Sequence, residues 1–207
     1  MRRMLSYLML SALAFSMAMC TKGNVEEEYS LLPDSCHLRP GDLVFRRGTG
    51  LTSRAVIVAD HGGRFSHIGI VTDSAGIAMV VHAVPGEPDY EGDPDRVKME
   101  PASKFYSSIN ASLGEVCRPT DSIAGKTAAE AAVAIYRRGV LFDHQYDDSD
   151  TTRMYCTQLV MECYRKAGIE LTGAPSHTFN LPGMSCTCWL PSDIYHSPYL
   201  RPIYAFE

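Results

Sequence analysis

Two apolar runs flank a short turn, and this arrangement constrains the fold more than any other feature of the 207-residue chain. Ser66 to Thr72 and Gly76 to Ala83 have the composition of strands, and Asp73-Ser74-Ala75 between them has turn chemistry. A hairpin centred on residues 74 and 75 sets His67 across from His82 near its open end, with both rings on one sheet face. The chain is thereby committed to an antiparallel sheet that carries two imidazoles. Either residue alone reads as a structural or solvated histidine; the matched positions are what point to chemistry.

A second feature lies far downstream. Cys156, in Arg153-Met154-Tyr155-Cys156-Thr157-Gln158-Leu159-Val160, heads an amphipathic run that stops at Gly168. A helix start offers unpaired backbone N–H groups and the positive end of the dipole. Both favour thiolate, the nucleophilic form. A cysteine nucleophile also needs a base and a group to orient that base. His67 suits the first role, because imidazole titrates near neutrality, and His82 suits the second. Ser66 and Tyr155 flank base and nucleophile and are expected to line the substrate site, though both also suit plain turn and packing roles.

The other elements complete an α+β chain. Gly41-Asp42 feeds a strand through Phe45, Leu51 to Val58 has helical spacing, and Val97 to Glu100 and Leu113 to Arg118 read as strands. Ile123 to Arg138 is an alanine-rich helix opened by Asp121-Ser122 and closed by Gly139. Cys156 to Ala167 is the next helix, and Leu200 to Phe206 a terminal strand. Pro85 to Asp95 is an acidic loop, and the stretch before Leu200 reads as loop-rich. Helices and mainly antiparallel strands in separate blocks indicate α+β.

The N-terminus reads as a targeting segment. Arg2 and Arg3 precede the apolar stretch Met4 to Met19, which suits a secretory signal better than a membrane span. Met17-Ala18-Met19-Cys20 resembles a bacterial lipobox, so residues 1–20 are expected to be a signal peptide with Cys20 as the lipidated residue. Residues 21–37 read as a tether and 38–207 as one domain. The expected location is the periplasm or outer membrane, with the membrane reached only through Cys20. The net charge of -5 argues against a nucleic-acid partner.

Export permits disulfides, and six cysteines remain beyond Cys20. Cys163 lies two turns along from Cys156 on the same helix face and is too distant to bridge it, so it reads as a small buried hydrophobe. Cys186 and Cys188 can pair with Cys36 or Cys117, and the connectivity stays open. His61 sits in a glycine turn, and His144 lies between Asp143 and Asp147 as a loop-ordering residue. Cys186, Cys188 and His196 lack the spacing of a zinc site. No phosphate loop, dinucleotide fingerprint or zincin motif occurs.

Gly41-Asp42-Leu43-Val44-Phe45, Phe65-Ser66-His67-Ile68-Gly69-Ile70-Val71, Val81-His82-Ala83 and Tyr155-Cys156-Thr157-Gln158-Leu159-Val160 occur in that order. The set resembles the YiiX-like branch of the circularly permuted, NlpC-type papain-fold enzymes. The resemblance covers roughly residues 38 to 170. It implies a papain-like fold on a permuted chain, with Cys156 as nucleophile, His67 as base and His82 at the third, orienting position. That position is often glutamate in this branch; histidine there is similar to the lecithin:retinol acyltransferase-like enzymes. Thr157 stands where the family usually has serine.

The resulting expectation is a cell-envelope cysteine hydrolase that cleaves an amide bond in cell-wall peptides or related amino-acid amides and needs no cofactor or metal. Two alternatives stand beside it: a thiol acyltransferase or lipase on acyl lipids, and a non-catalytic envelope lipoprotein that binds in the same cleft.

Overall fold

A computed structural model describes residues 28–174, 177–181 and 184–207. The expected signal peptide with Cys20 and the first part of the expected tether lie outside the described residues, as does the side chain of Cys186. The chain runs β1 (Leu43–Arg47), α1 (Leu51–Ala59), β2 (His67–Ser74), β3 (Ile77–Val84), β4 (Arg96–Pro101), α2 (Ala102–Phe105) and β5 (Leu113–Pro119). It continues as α3 (Ser122–Arg137), β6 (Leu141–Phe142), β7 (Arg153–Met154), α4 (Cys156–Lys166), β8 (His177–Leu181), β9 (Met184–Cys188), α5 (Pro191–Tyr195) and β10 (Leu200–Phe206). No described helix is long and apolar enough to cross a membrane.

One large sheet has the order β10-β5-β1-β2-β3-β4-β6-β7. Every pairing in it is antiparallel except the short β6–β7 pair. The α+β reading therefore stands. Alternation along the strands divides the buried residues between two faces. Leu43, Phe45, Ile68, Ile70 and Val81 join the core that α3 and α4 cover, with Leu159 and Val160. Each such side chain contributes about 1.5–3 kcal/mol by leaving water. Val44, Val71 and Val80 form the second core with Phe105 and Tyr106.

The helices dock through specific contacts. Asp121 caps α3, its Oδ1 accepting from Ile123 N at 2.9 Å and Ala124 N at 3.0 Å. Gly41, at φ 91°, touches Gly125 of α3 so closely that a Cβ there would lie 2.3 Å from the Gly125 carbonyl carbon. Tyr164 of α4 donates to the Gly41 carbonyl at 2.6 Å. The entry to β1 thus fixes both helices against the sheet.

The tether reading changes for residues 28–37. Leu31 N donates to Tyr106 O at 2.8 Å, and Leu31, Leu32 and Cys36 pack on the second core. The leucines within the polar stretch are what anchor it. The supposedly loop-rich tail also holds the β8–β9 hairpin and α5.

Candidate active site

A cavity of about 350 Å³ opens where β2 and β3 part, and its lining includes His67, Cys156, Ser66, Tyr155, Arg46 and Glu87. The β2–β3 ladder runs from Ser74↔Ile77 to Ile70↔Val81. It stops short of the strand ends at His67 and Val84. Within that opening the Ile68 N–H reaches the Cys156 sulfur.

Cys156 is the first residue of α4. The preceding Tyr155 is extended (φ -96°, ψ 173°) and buried, which sets the helix start firmly. Its hydroxyl donates to Asp148 and accepts from Trp189 N at 3.3 Å. Thr157 Oγ1 donates to Trp189 O at 2.9 Å, and Gln158 Nε2 donates to Asp150 O at 3.0 Å. The nucleophile candidate therefore sits between two side chains that cannot easily move.

The expectation of a resting thiolate needs correction. Burial pushes the Cys156 thiol up to about 11. The N–H groups of Ile68, Thr157 and Cys156 itself, and the Arg46 guanidinium, pull the other way without prevailing. Desolvation of a charged sulfur outweighs the helix start here. His67 is likewise held well below the ordinary histidine range, first by burial, then by Arg46 and His82. At rest a neutral thiol and a neutral imidazole line the one cavity.

The two histidines do meet: His67 Nε2 lies 2.8 Å from His82 Nδ1. The route differs from the expected one. The turn falls at Ala75 and Gly76, so the register is displaced by two residues from a pairing centred on 74 and 75. Continuing that register places His82 beside Gly69, on the diagonal from His67. A shift of two keeps both side chains on one face, whereas a shift of one would have separated them. Gly69 makes the approach possible, because a Cβ there would lie 2.5 Å from Val80 Cγ1 and 3.2 Å from His82 Cβ.

This face of the sheet is a buried polar layer. Arg46 pairs across β1–β2 with His67, donates to Phe105 O at 2.7 Å and forms an ion pair with Glu87. Its guanidinium carbon lies 4.5 Å from the Phe105 ring centre. The His67 ring stacks on Phe105 at 5.6 Å. His82 Nε2 comes within 3.1 Å of Glu100 Oε1. Burial pushes the Glu100 carboxyl up, but His82, Lys98 and Arg46 outweigh it and hold it at about 2. Burial likewise lowers His82, with Glu100 drawing it partly back.

Ser66 and Tyr155 both line the cavity, but their hydroxyls are engaged. Ser66 Oγ accepts from Gly48 N at 2.9 Å and meets Ser53 Oγ. They shape the wall more than they offer free donors. Cys163 is fully buried, and Cys36, Cys117, Cys156 and Cys163 are free thiols. His61 occupies a turn at φ 49°, and the largely exposed His144 meets Asp95 at 3.2 Å. Sequence reasoning missed Arg46, Glu87 and Glu100. The one signal available was alternation, which puts Arg46 on the face of Val44 and Glu100 on that of Lys98.

The profile of the family described as "Permuted papain-like amidase enzyme, YaeF/YiiX, C92 family" matches residues 37–204. No curated protein matches the chain. A solved structure, described as the metalloprotein yiiX from Escherichia coli O157:H7, is similar with a TM-score of 0.65 and 19% identity. The match covers 82% of this chain and 97% of that one. Among the described residues, no three His, Cys, Asp or Glu side chains are grouped to hold a metal ion. With the profile spanning residues 37–204, and a mainly antiparallel sheet packed on helices found, the chain belongs to the permuted papain-like amidase family, YaeF/YiiX, C92.

Proposed function

We propose that the chain is an envelope cysteine amidase with Cys156 as nucleophile, His67 as general base and His82 as the group that orients His67. The observation that carries this reading is a single cavity lined by Cys156 and His67, with His67 held through its Nε2 by His82 at 2.8 Å. That contact leaves Nδ1 as the ring nitrogen available to the thiol.

The reaction starts from the neutral pair. As Sγ attacks the amide carbonyl carbon, His67 Nδ1 takes the thiol proton, so no free thiolate is needed. The oxyanion faces the start of α4, where the Cys156 N–H is available. His67 then gives the proton to the leaving nitrogen, and amine departs from a thioester. Water attacks the thioester with His67 as base, releasing a carboxylic acid and restoring the thiol. Amide and water are thus converted to acid and amine.

We infer a substrate class of cell-wall stem peptides or related amino-acid amides, reached by a lipoprotein anchored through Cys20. The family's amidase description and the lipobox-like segment support it. The test is incubation of the wild-type protein and Cys156→Ala with muropeptides and, separately, with phospholipids, followed by mass spectrometry. New amine and acid termini in the muropeptide pool, absent with Cys156→Ala, are expected. Cysteine-dependent products only in the phospholipid pool would replace amidase with acyl-lipid chemistry, and none in either pool would favour a binding lipoprotein.

A further inference from the structure

The line from His67 on β2 through His82 on β3 extends to a third strand. His82 pairs across β3–β4 with Lys98, so Glu100 is the next residue of β4 on the same face. Its offset from His82 repeats the diagonal offset of His82 from His67. His82 Nε2 is 3.1 Å from Glu100 Oε1, with the two side chains 0% and 3% exposed. The contact is close without being aligned as a straight hydrogen bond. Glu100 Oε2 faces Lys98 Nζ at 3.3 Å and Lys104 Nζ at 3.4 Å.

An ionised carboxylate only accepts. His82 must therefore carry its proton on Nε2, which leaves Nδ1 as a lone pair. That lone pair faces His67 Nε2 at 2.8 Å, so the proton of His67 also sits on Nε2. The free lone pair of His67 is then on Nδ1. A neutral imidazole has two tautomers, and only this one can take a proton on the nitrogen turned away from His82.

We propose that Glu100 is a positioning residue, which acts through His82 to fix the tautomer of both histidines and to stabilise the imidazolium formed when His67 takes the thiol proton. This deepens the Cys156–His67 reading and rests on it. The charged surroundings call for such an anion. Arg46 from β1, Lys98 from β4 and Lys104 from α2 approach this polar layer. Glu87 answers Arg46, and Asp89 answers both lysines, at 2.8 Å and 2.9 Å. Glu100 is the carboxylate in contact with His82.

The competing role is purely structural, with Glu100 present only to neutralise Lys98. Glu100→Gln keeps the shape and removes the anion. Acting on the amide substrate, it should lose roughly 100-fold in kcat, on the scale of general acid–base contributions, with KM within about twofold. The acidic limb of kcat/KM should move to lower pH, since the imidazolium loses its counter-charge. Imidazole nitrogen NMR of the Cys156→Ala protein should show both His67 and His82 protonated on Nε2, and mixed tautomers once Glu100→Gln is added. A kcat within threefold of wild type, or full recovery of Glu100→Gln by adding Lys98→Met, would overturn the positioning role. Should Glu100→Gln fail to fold, the NMR of Cys156→Ala alone decides: His82 protonated on Nδ1 overturns it, and Nε2 on both rings supports it. An amidase that proves independent of Cys156 would defeat the functional reading while leaving this tautomer result standing or falling by itself.

Discussion

His67 Nε2 and His82 Nδ1 meet at 2.8 Å across a diagonal of adjacent strands, with Gly69 leaving room for His82 Cβ and Val80. Gly69→Ala should therefore act on the pair before it acts on the fold. The added methyl would press on Val80 and on His82 Cβ, at a cost of about 1–3 kcal/mol as for other overpacked sites. Activity should fall by more than the stability loss explains. A variant that folds less stably yet retains full kcat would break this connection between the glycine and the imidazoles.

Stability should depend on pH in a defined window. Unfolded histidines titrate near 6.5, whereas buried His67 and His82 titrate below that. From about pH 6.5 down to those lowered values the unfolded chain binds more protons, so acidification destabilises the fold. The slope approaches about 1.4 kcal/mol per pH unit for each such histidine. Urea midpoints at pH 7.5, 6.5 and 5.5 should fall in that order, and His82→Gln should flatten the trend. Glu100 adds a separate loss only at lower pH, as its carboxyl, held at about 2, becomes protonated.

The resting thiol makes a second pH prediction. With Cys156 raised to about 11, its alkylation by iodoacetamide in the absence of substrate should climb steadily from pH 7 to 10. A plateau beginning below pH 7 would reveal a standing thiolate and refute the neutral pair.

Tyr155→Phe tests the rigidity of the α4 start. The hydroxyl serves Asp148 and Trp189 N, and its removal leaves the half-buried carboxylate and the buried N–H a partner short. The expected cost is about 1–3 kcal/mol, read as a lower thermal midpoint. An unchanged midpoint would mean that neighbouring groups or water already satisfy those atoms.

Much of the fold is legible in the sequence because local signals agree with tertiary ones. α3 has its Asp121 cap, small-residue face and Gly139 at φ 67°, and β10 has the expected limits. The hairpin was legible, but its register was not. Asp73-Ser74-Ala75 looks like the turn, whereas Gly76 at φ 82° is what lets the chain reverse. The β8–β9 hairpin was missed although Phe179, Leu181, Met184 and Cys186 alternate with polar residues around Pro182-Gly183, because each run is only five residues long. Glu100 was missed for a related reason. Val97-Lys98-Met99-Glu100 reads as an ordinary half-exposed strand until Phe105 and β3 cover its charged side.

The loop from Pro85 to Asp95 is pinned in two ways. Glu87 is tied to buried Arg46, while Asp89 and Asp93 hold more exposed partners in Arg96 and Lys104. Salt screens the outer ties far more than the inner one. Rising ionic strength should therefore loosen the exposed ion pairs of this loop before it loosens the Arg46–Glu87 pair at the cavity wall.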